Sequence, residues 1–180
     1  SDVMSGHSPF IQKVEIQRQE RILGFIEERL ERKTGVKAVE VGIGIGLFAR
    51  ACRGRNWDYT GIDRNAKMLA ALGKDFHVVE GEVPPAPAEV PEAAHDLAYS
   101  SFVFEHLADG TAGFHFAKEL TRLTRPNGLV VLVVPDALSL GLEFWNLDYT
   151  HRYPTADRNV TQILLECGLK VEKIVRYKGP

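Results

Sequence analysis

The sequence predicts an α/β fold with a doubly wound, mostly parallel β-sheet and helices on both of its faces. Short apolar segments alternate about six times with segments of helical period, which favours parallel strands joined by helical crossovers. The run Leu129–Val134 is apolar at every position, as expected for a strand in the centre of a covered sheet. A glycine-rich turn, Gly42–Gly46, joins the first strand to a helix. Ligands of such sheets bind beyond the carboxyl ends of the strands.

The N-terminal region, residues 1–35, is predicted to be a helical segment. Apolar residues recur near helical spacing over residues 11–33, and Thr34-Gly35 is a typical helix end. The charged face of this helix is most simply solvated. The alternative is that the segment forms a lid over the ligand pocket, because lids often come from flanking elements. Residues 36–180 would then form the ligand-binding domain.

The rest of the chain divides into strands and helices in regular order. We expect strands at 36–41, 59–62, 76–79, 95–100, 129–134 and 169–175, with 125–128 a turn. Helices follow the first, second, fourth and fifth strands, with capping by Asn65, by Asp109 or Thr111, and by Thr155. Four prolines make 83–94 a surface loop. The carboxyl ends of the strands bring Glu40, Asp63, Glu82 and Ser100–Ser101 to one crevice.

Composition limits the classes of function. The 180 residues, 44% hydrophobic and 26% charged, suit one domain with a substantial core. A net charge of −2 argues against a nucleic-acid partner. No apolar run approaches the roughly 20 residues that span a bilayer, and no signal peptide is visible. The two distant cysteines do not suggest disulfides, so a cytoplasmic location is expected. The histidines lack a metal-ligand spacing, so no metal is expected.

The glycine turn itself discriminates between ligand classes. Glycines at 42, 44 and 46 follow Glu40, whereas a dinucleotide fingerprint would place its third glycine at position 47, which is Leu47. Glycine permits positive φ and close approach of backbone to a ligand. An ordinary glycine-rich turn is the alternative. The pattern resembles motif I of the class I S-adenosylmethionine (SAM)-dependent methyltransferases, E/D-x-G-x-G-x-G, which have a Rossmann-like fold.

Four further segments resemble that family in the same order. They are 59–63 (YTGID), 79–82 (VEGE), 95–107 (HDLAYSSFVFEHL) and 122–135 (RLTRPNGLVVLVVP). The resemblance covers about residues 36–177. The family fold usually ends in a seventh, antiparallel strand, and we expect that strand to be missing because the sequence ends at Gly179-Pro180. The alternatives are a truncated chain and an open sheet edge.

The resemblance implies SAM as the cofactor. The three glycines would pass beneath its methionine part, and Glu40 would order the loop and contact the ammonium group through water. Asp63 has two acceptor oxygens for the ribose hydroxyls; the alternative is a helix-start acid before Asn65. Ile62 and Arg64 would flank the adenine. Glu82, where the family usually has Asp, and the Val83 N–H would bind its edge. The implied cofactor site is Glu40, Gly42, Ile43, Gly44, Gly46, Ile62, Asp63, Arg64, Gly81, Glu82, Val83, Ser100 and Ser101.

The methyl acceptor is expected near residues 144–153, which resemble the D-x-T-H segment of small-molecule members of the family. His151 and Tyr149 are the predicted acceptor contacts. The alternative is that these aromatics close the core and that Asp148–His151 is a local cap. His106 is expected in a structural or pocket-wall role. Ser100–Val103 replace the N-P-P-Y/F tetrapeptide of nucleic-acid amino-methylating enzymes.

These features predict a methyltransferase that acts on a small molecule or a biosynthetic intermediate. The first alternative is a SAM-binding module without catalysis, which serves as a regulator or a scaffold. The second is a nicotinamide-dependent oxidoreductase, which Leu47 disfavours.

Overall fold

The computed structural model describes residues 9–177, with side chains from residue 13 onward. Five strands form one parallel sheet in the order β3-β2-β1-β4-β5. The predicted α/β class and parallel sheet are confirmed. In chain order the elements are α1 Pro9–Arg29, β1 Lys37–Val41, α2 Leu47–Gly54, β2 Asp58–Asp63, α3 Ala66–Leu72, β3 His77–Glu80, β4 His95–Ser101, a 3₁₀ turn Phe104–His106, α4 Gly110–Leu123, β5 Thr124–Val133, α5 Ala137–Leu140, α6 Glu143–Leu147 and α7 Asp157–Glu166.

Helices cover both faces of the sheet. Successive side chains of a strand point to opposite faces, and in β1 Ala38 and Val39 accordingly belong to two different apolar clusters. The cluster on one face includes buried residues of α1 and α2. The cluster on the other face includes buried residues of α4 and α7. The two-sided core explains why β1 and β4 are buried along almost their whole length.

Helix α1 is anchored to the domain through its second half. Leu23, Ile26 and Leu30 are buried against α2 and the sheet. Arg55 at the end of α2 adds ion pairs to Glu20 and Glu27, both at 2.8 Å. The helix ends at Arg29, four residues before the predicted end. Residues 31–35 are all exposed, so no apolar face holds them against the core.

The end of the sheet differs from the prediction. Strand β5 lies at the edge of the sheet, not in its centre, and its residues are only partly buried. Residues 169–175 do not form the predicted sixth strand. Their neighbourhood is α1, where the Lys173 ammonium lies over the Phe25 ring and the Arg21 guanidinium lies over the Tyr177 ring. Within residues 9–177 a seventh strand is also absent.

Two local predictions are wrong. The residues 125–128 do not make a turn before β5 but lie within it, at a bulge between the pairs His95–Thr124 and Leu97–Leu129. Asn127 lies at this bulge and has a left-handed backbone, with a φ of 62°. Thr155 is not the cap of α7, because its buried hydroxyl donates to the Pro135 carbonyl at 2.5 Å. In the part of the chain that the structure covers, every helix is too short or too polar to cross a bilayer.

Candidate functional site

The predicted cofactor residues lie at one edge of the sheet. The four strands β1 to β4 are parallel and adjacent in space, so the loops that follow them meet at their carboxyl ends. The loop after β1 carries the glycines, the loop after β2 begins at Asp63, and the loop after β3 carries Glu82. These loops therefore lie at the edge where the sequence predicts a single crevice. Which atoms line it depends on the contacts of each loop.

The glycine turn is shaped by backbone and packing together. Gly42, Gly44 and Gly46 all have positive φ, at 84°, 47° and 78°. A Cβ on Gly42 would overlap the Val103 Cγ2 methyl, whereas a Cβ on Gly44 would meet nothing within 4 Å. Gly42 is therefore required by the fold, and Gly44 presents bare backbone to open space. Gly46 is the left-handed residue that begins α2.

Asp63 connects the end of β2 to the glycine turn. One of its carboxylate oxygens accepts from the Ile43 N–H at 2.9 Å, and the other accepts from the Asn65 N–H at 2.8 Å. The cap of α3 is Asn65, whose side chain accepts from the Lys67 N–H. Asp63 therefore also holds the turn that leads into α3, as the alternative of a helix-start acid before Asn65 predicts. Each carboxylate oxygen has two lone pairs, which leaves acceptor capacity at a half-buried position beside the turn.

Glu40 lies beneath the turn and not in the crevice. Only 3% of it is exposed, and its carboxyl accepts from the Tyr59 hydroxyl at 2.5 Å. Burial raises the pKa of Glu40 to about 8, and the hydrogen bond from Tyr59 opposes part of that rise. The carboxyl therefore supports the floor of the turn through the neighbouring strand. Its contact with Tyr59 is a feature that the sequence did not predict.

The loops after β2 and β3 are joined to each other. The Gly81 N–H donates to the Asp63 carbonyl at 2.9 Å. Arg64 and Glu82 form an ion pair at 2.9 Å, and both side chains are more than 70% exposed. Ile62 and Val83 are buried in one apolar cluster. The predicted adenine-binding residues therefore meet at one place, with apolar residues below and an ion pair at the rim.

The end of β4 closes the other side of the glycine turn. Ser100 is buried and its hydroxyl donates to the Val41 carbonyl at 2.9 Å, whereas Ser101 is half-buried. The next residue, Phe102, has a φ of 54°, a strained value of the kind that concentrates at functional sites. The Arg18 guanidinium of α1 lies 4.7 Å from the centre of the Phe102 ring. The first half of α1 thus reaches this end of the sheet.

The two predicted acceptor contacts differ in placement. Tyr149 is 96% exposed, and the structure does not bring it into the crevice. His151 is half-buried, and its Nδ1 donates to the Phe144 carbonyl at 2.5 Å. Asp148 also forms the local turn that the alternative predicted, because its carbonyl accepts from the His151 N–H at 3.1 Å. His151 therefore belongs to a local turn and still lies against the groups that follow β4.

Glu105 is a candidate functional residue that the sequence reasoning missed. It lies in the 3₁₀ turn after β4, is 1% exposed, and has a pKa raised by burial to about 7. One ligand atom each from Glu105, His106 and His151 lies within 4.8 Å of the others. The signal in the sequence was the adjacent pair Glu105-His106. The third member is 45 residues away, so spacing alone could not find it.

A sequence comparison finds the family of the chain. A family model described as a methyltransferase domain matches residues 14–174. A curated protein from Mycobacterium sp. (strain KMS), named "uncharacterized methyltransferase", is 32% identical over 100 residues. That match covers 54% of this chain and 38% of the relative. The matched region thus spans less than half of the relative's length.

Comparison with solved structures finds the same fold. A SAM-dependent methyltransferase from Archaeoglobus fulgidus matches with a TM-score of 0.75 at 22% identity, over 88% of this chain and 69% of that one. The phosphoethanolamine N-methyltransferase 2 of Haemonchus contortus, in complex with SAM, matches with a TM-score of 0.62 at 18% identity. That match covers 83% of this chain and 36% of the other.

Proposed function

Because the chain belongs to the methyltransferase-domain family, we propose that it transfers a methyl group from SAM to a small-molecule acceptor. The observation that carries the proposal is the Asp63 carboxylate, which holds the glycine turn through the Ile43 N–H and keeps lone pairs available beside it. Two adjacent acceptor oxygens suit the two vicinal hydroxyls of a ribose. The cofactor would then lie across the carboxyl ends of β1, β2 and β3.

The remaining contacts follow from that placement. Gly44 has open space on its ligand side, which suits close approach of the methionine part of SAM. The adenine would lie between the loops after β2 and β3, above Ile62 and Val83, with Arg64 and Glu82 at the rim. Glu40 acts on the ammonium group only indirectly, because its carboxyl is buried with Tyr59. Gly42, Ile43, Gly46, Gly81, Ser100 and Ser101 shape the same pocket.

The acceptor would approach from the side of His151. The segments that follow β4 and β5 meet there, since the Arg152 and Tyr153 N–H groups both donate to the Glu105 carbonyl, at 2.9 and 3.0 Å. Val103, two residues before Glu105, packs against Gly42, so this region borders the methionine side of the turn. His151 is our proposed acceptor contact. Tyr149 can serve only if the segment that carries it moves.

The first half of α1 is proposed to cover the acceptor side. Gln19 is buried, and its carbonyl oxygen accepts from the Tyr99 hydroxyl at 3.1 Å. Among the residues that the structure describes, its amide nitrogen has no hydrogen-bond partner, and a buried donor of that kind is costly. A bound ligand beside β4 would satisfy it. The second half of α1 is anchored in the core and would not move.

Methyl transfer demands little chemistry of the protein. The sulfonium methyl is already electrophilic, and an acceptor nucleophile displaces the sulfur in line. Orientation of the two reactants can lower the barrier by about 7 to 11 kcal/mol at best. A fixed turn under the cofactor and a fixed acceptor side are what such positioning requires.

Calorimetric titration with SAM and, separately, with NADH tests the proposal. We expect saturable SAM binding and no NADH binding, because Leu47 occupies the place of the third glycine of a dinucleotide site. Labelled SAM with a cell extract should then yield a labelled small molecule. NADH binding without SAM binding would refute the cofactor assignment. Binding of SAM with label found only on protein or nucleic acid would refute the acceptor class.

A further inference from the structure

We propose that Glu105, His106 and His151 form a binding site for a divalent transition-metal ion. Two imidazole nitrogens and one carboxylate oxygen are a donor set that Zn²⁺ and Fe²⁺ use when coordination positions are left open. The three ligand atoms lie within 4.8 Å of one another. Ligands bonded to one ion at about 2.0–2.2 Å lie roughly 3 to 3.5 Å apart. The most separated pair therefore needs to approach by at most about 2 Å.

The carboxylate of Glu105 lacks the partners that its burial requires. Its residue is 1% exposed, and within residues 9–177 its Oε2 atom has no hydrogen-bond partner. A buried carboxylate oxygen without a hydrogen bond is costly. A cation at this point would supply both the missing charge and the missing contact.

Each imidazole is held by a hydrogen bond at its Nδ1 atom, and its Nε2 atom lies on the other side of the ring. The Phe144 carbonyl can only accept, so the Nδ1 atom of His151 carries the proton in their 2.5 Å bond. The single hydroxyl proton of Thr150 is donated to Asp148 at 2.7 Å. The Thr150 oxygen must then accept from the Nδ1 atom of His106 at 2.9 Å. In the neutral rings, both Nε2 atoms are left with a lone pair for an ion.

This arrangement is typical of metal-binding histidines. Such residues usually donate their other ring N–H to a carbonyl, a carboxylate or a similar acceptor, which fixes the tautomer and the ring orientation. Here a carbonyl supports His151, and a hydroxyl backed by the Asp148 carboxylate supports His106. The half-buried position of both rings leaves the outer side of the ion open.

The site deepens the proposed function and in that respect rests on it. The three residues follow β4 and β5 on the proposed acceptor side. An ion with open positions would bind an oxygen or nitrogen atom of the acceptor and orient it toward the methyl group. His151 would then contact the acceptor through the ion. Metal binding itself requires neither SAM nor an acceptor, so it can be measured alone.

The test is titration of the chelator-treated full chain with ZnCl₂ against a chromogenic indicator, and with CoCl₂ by visible absorption. We expect one equivalent of each ion to bind, and the Co²⁺ spectrum to be that of nitrogen and oxygen ligands. Glu105→Gln, which keeps the shape and removes the charge, should weaken Zn²⁺ binding at least tenfold. The same should hold for His151→Gln. The matched control is His115→Ala, an exposed histidine of α4, which should bind as the parent does.

If Glu105→Gln does not fold, a substitution of Thr150, which holds His106, provides a second test of the metal site. Thr150→Val removes the acceptor that holds His106 and should weaken Zn²⁺ binding about 10- to 100-fold, with an unchanged circular dichroism spectrum. Failure to bind one equivalent of Zn²⁺, or binding that all of these variants retain, would overturn the metal site. Zn²⁺ binding with the expected losses but no SAM binding would leave the metal site standing and overturn only the proposed function.

Discussion

The proposed cofactor side and the proposed acceptor side of the crevice are built in different ways. On the cofactor side, backbone groups and one carboxylate determine the shape of the turn. Gly42 and Gly44 bend the chain, and the Asp63 carboxylate holds the bend. On the acceptor side, side chains from distant segments meet, as in the bond between His106 and Thr150, which are 44 residues apart. One side therefore depends mainly on backbone groups, and the other depends on side chains that tertiary packing brings together.

The exposed surface shows the same contrast. Residues 137–149 after β5 present several large apolar side chains to solvent, namely Leu138, Leu142, Trp145, Leu147 and Tyr149. The loops on the cofactor side bury their apolar residues, such as Ile62 and Val83, in the core. Segments with few buried contacts open at low free-energy cost. We expect ligand binding to reorganise the acceptor side more than the cofactor side.

The largest effect should come from Gly42→Ala, which tests the rigidity of the cofactor side. A side chain there needs a φ of 84° and collides with Val103. Left-handed backbone costs about 1 to 2 kcal/mol and overpacking about 1 to 3 kcal/mol. Urea unfolding should show a loss of about 2 to 5 kcal/mol, with weakened SAM binding. The matched control is Gly24→Ala in α1, where a Cβ meets nothing within 4 Å.

The control should change stability in the opposite direction. Alanine is favoured over glycine inside a helix by about 1 kcal/mol, so Gly24→Ala should stabilise the protein. Equal effects of the two substitutions would contradict the claim that the turn is fixed by packing.

Replacement of Asp63 separates ligand binding from support of the turn. Asp63→Ala should weaken SAM binding by about 2 to 3 kcal/mol, or about 30- to 150-fold, because hydrogen bonds to a charged acceptor are lost. Asp63→Asn keeps one acceptor oxygen and should lose less. The control is Asp58→Asn, an exposed residue at the opposite end of β2. Calorimetry measures the SAM affinity of the three variants. An unchanged affinity of Asp63→Ala would remove Asp63 from the proposed cofactor site.

The buried Glu40 carboxyl predicts a pH dependence of stability in the ligand-free protein. Its pKa of about 8 in the fold lies above its ordinary value of 4.5. The folded state therefore holds the proton more tightly, so the stability contribution is complete below pH 4.5 and is lost as the pH rises through 8. The slope is at most about 1.4 kcal/mol per pH unit.

Glu40→Gln should remove this slope, since glutamine does not titrate. Denaturant unfolding at several pH values between 5 and 8.5 measures it, with the exposed Glu80→Gln as the control. A slope that persists in Glu40→Gln would assign the pH dependence to another group.

The contrast between the two sides also explains what the sequence could predict. The glycine turn, the strand ends and the position of Asp63 follow from local patterns, and the structure places them at one edge. The link from Asp63 to the Ile43 N–H and the pair of Glu40 with Tyr59 depend on neighbouring strands, so they were not predicted. The sixth strand was predicted from the local order of strands and helices. Residues 169–175 instead run near α1, with Ile174 and Val175 about half exposed.

On the acceptor side the sequence identified the segment but not its partners. His151 was predicted as an acceptor contact, whereas Glu105 and its unpaired oxygen became visible only when the turn after β4 met the segment after β5. Tyr149 was predicted as an acceptor contact from its residue type. Its exposure shows that the residue type does not determine where the side chain points. Tertiary packing supplies that information, and no spacing rule contains it.

The smallest effects should come from the rim of the cofactor side, at Arg64 and Glu82. Both side chains are more than 70% exposed, and exposed ion pairs contribute about 0 to 1 kcal/mol. A double-mutant cycle with Arg64→Ala and Glu82→Ala should therefore show a coupling in stability below about 1 kcal/mol. SAM affinity gives a sharper result. If Glu82 accepts from the adenine amino group, its loss should weaken SAM binding by about 1 kcal/mol, whereas Glu80→Ala, which removes the same charge from the end of β3, should not. Equal losses from Glu82→Ala and Glu80→Ala would reduce the role of Glu82 to its charge, and the cofactor side would then depend on its backbone and Asp63 alone.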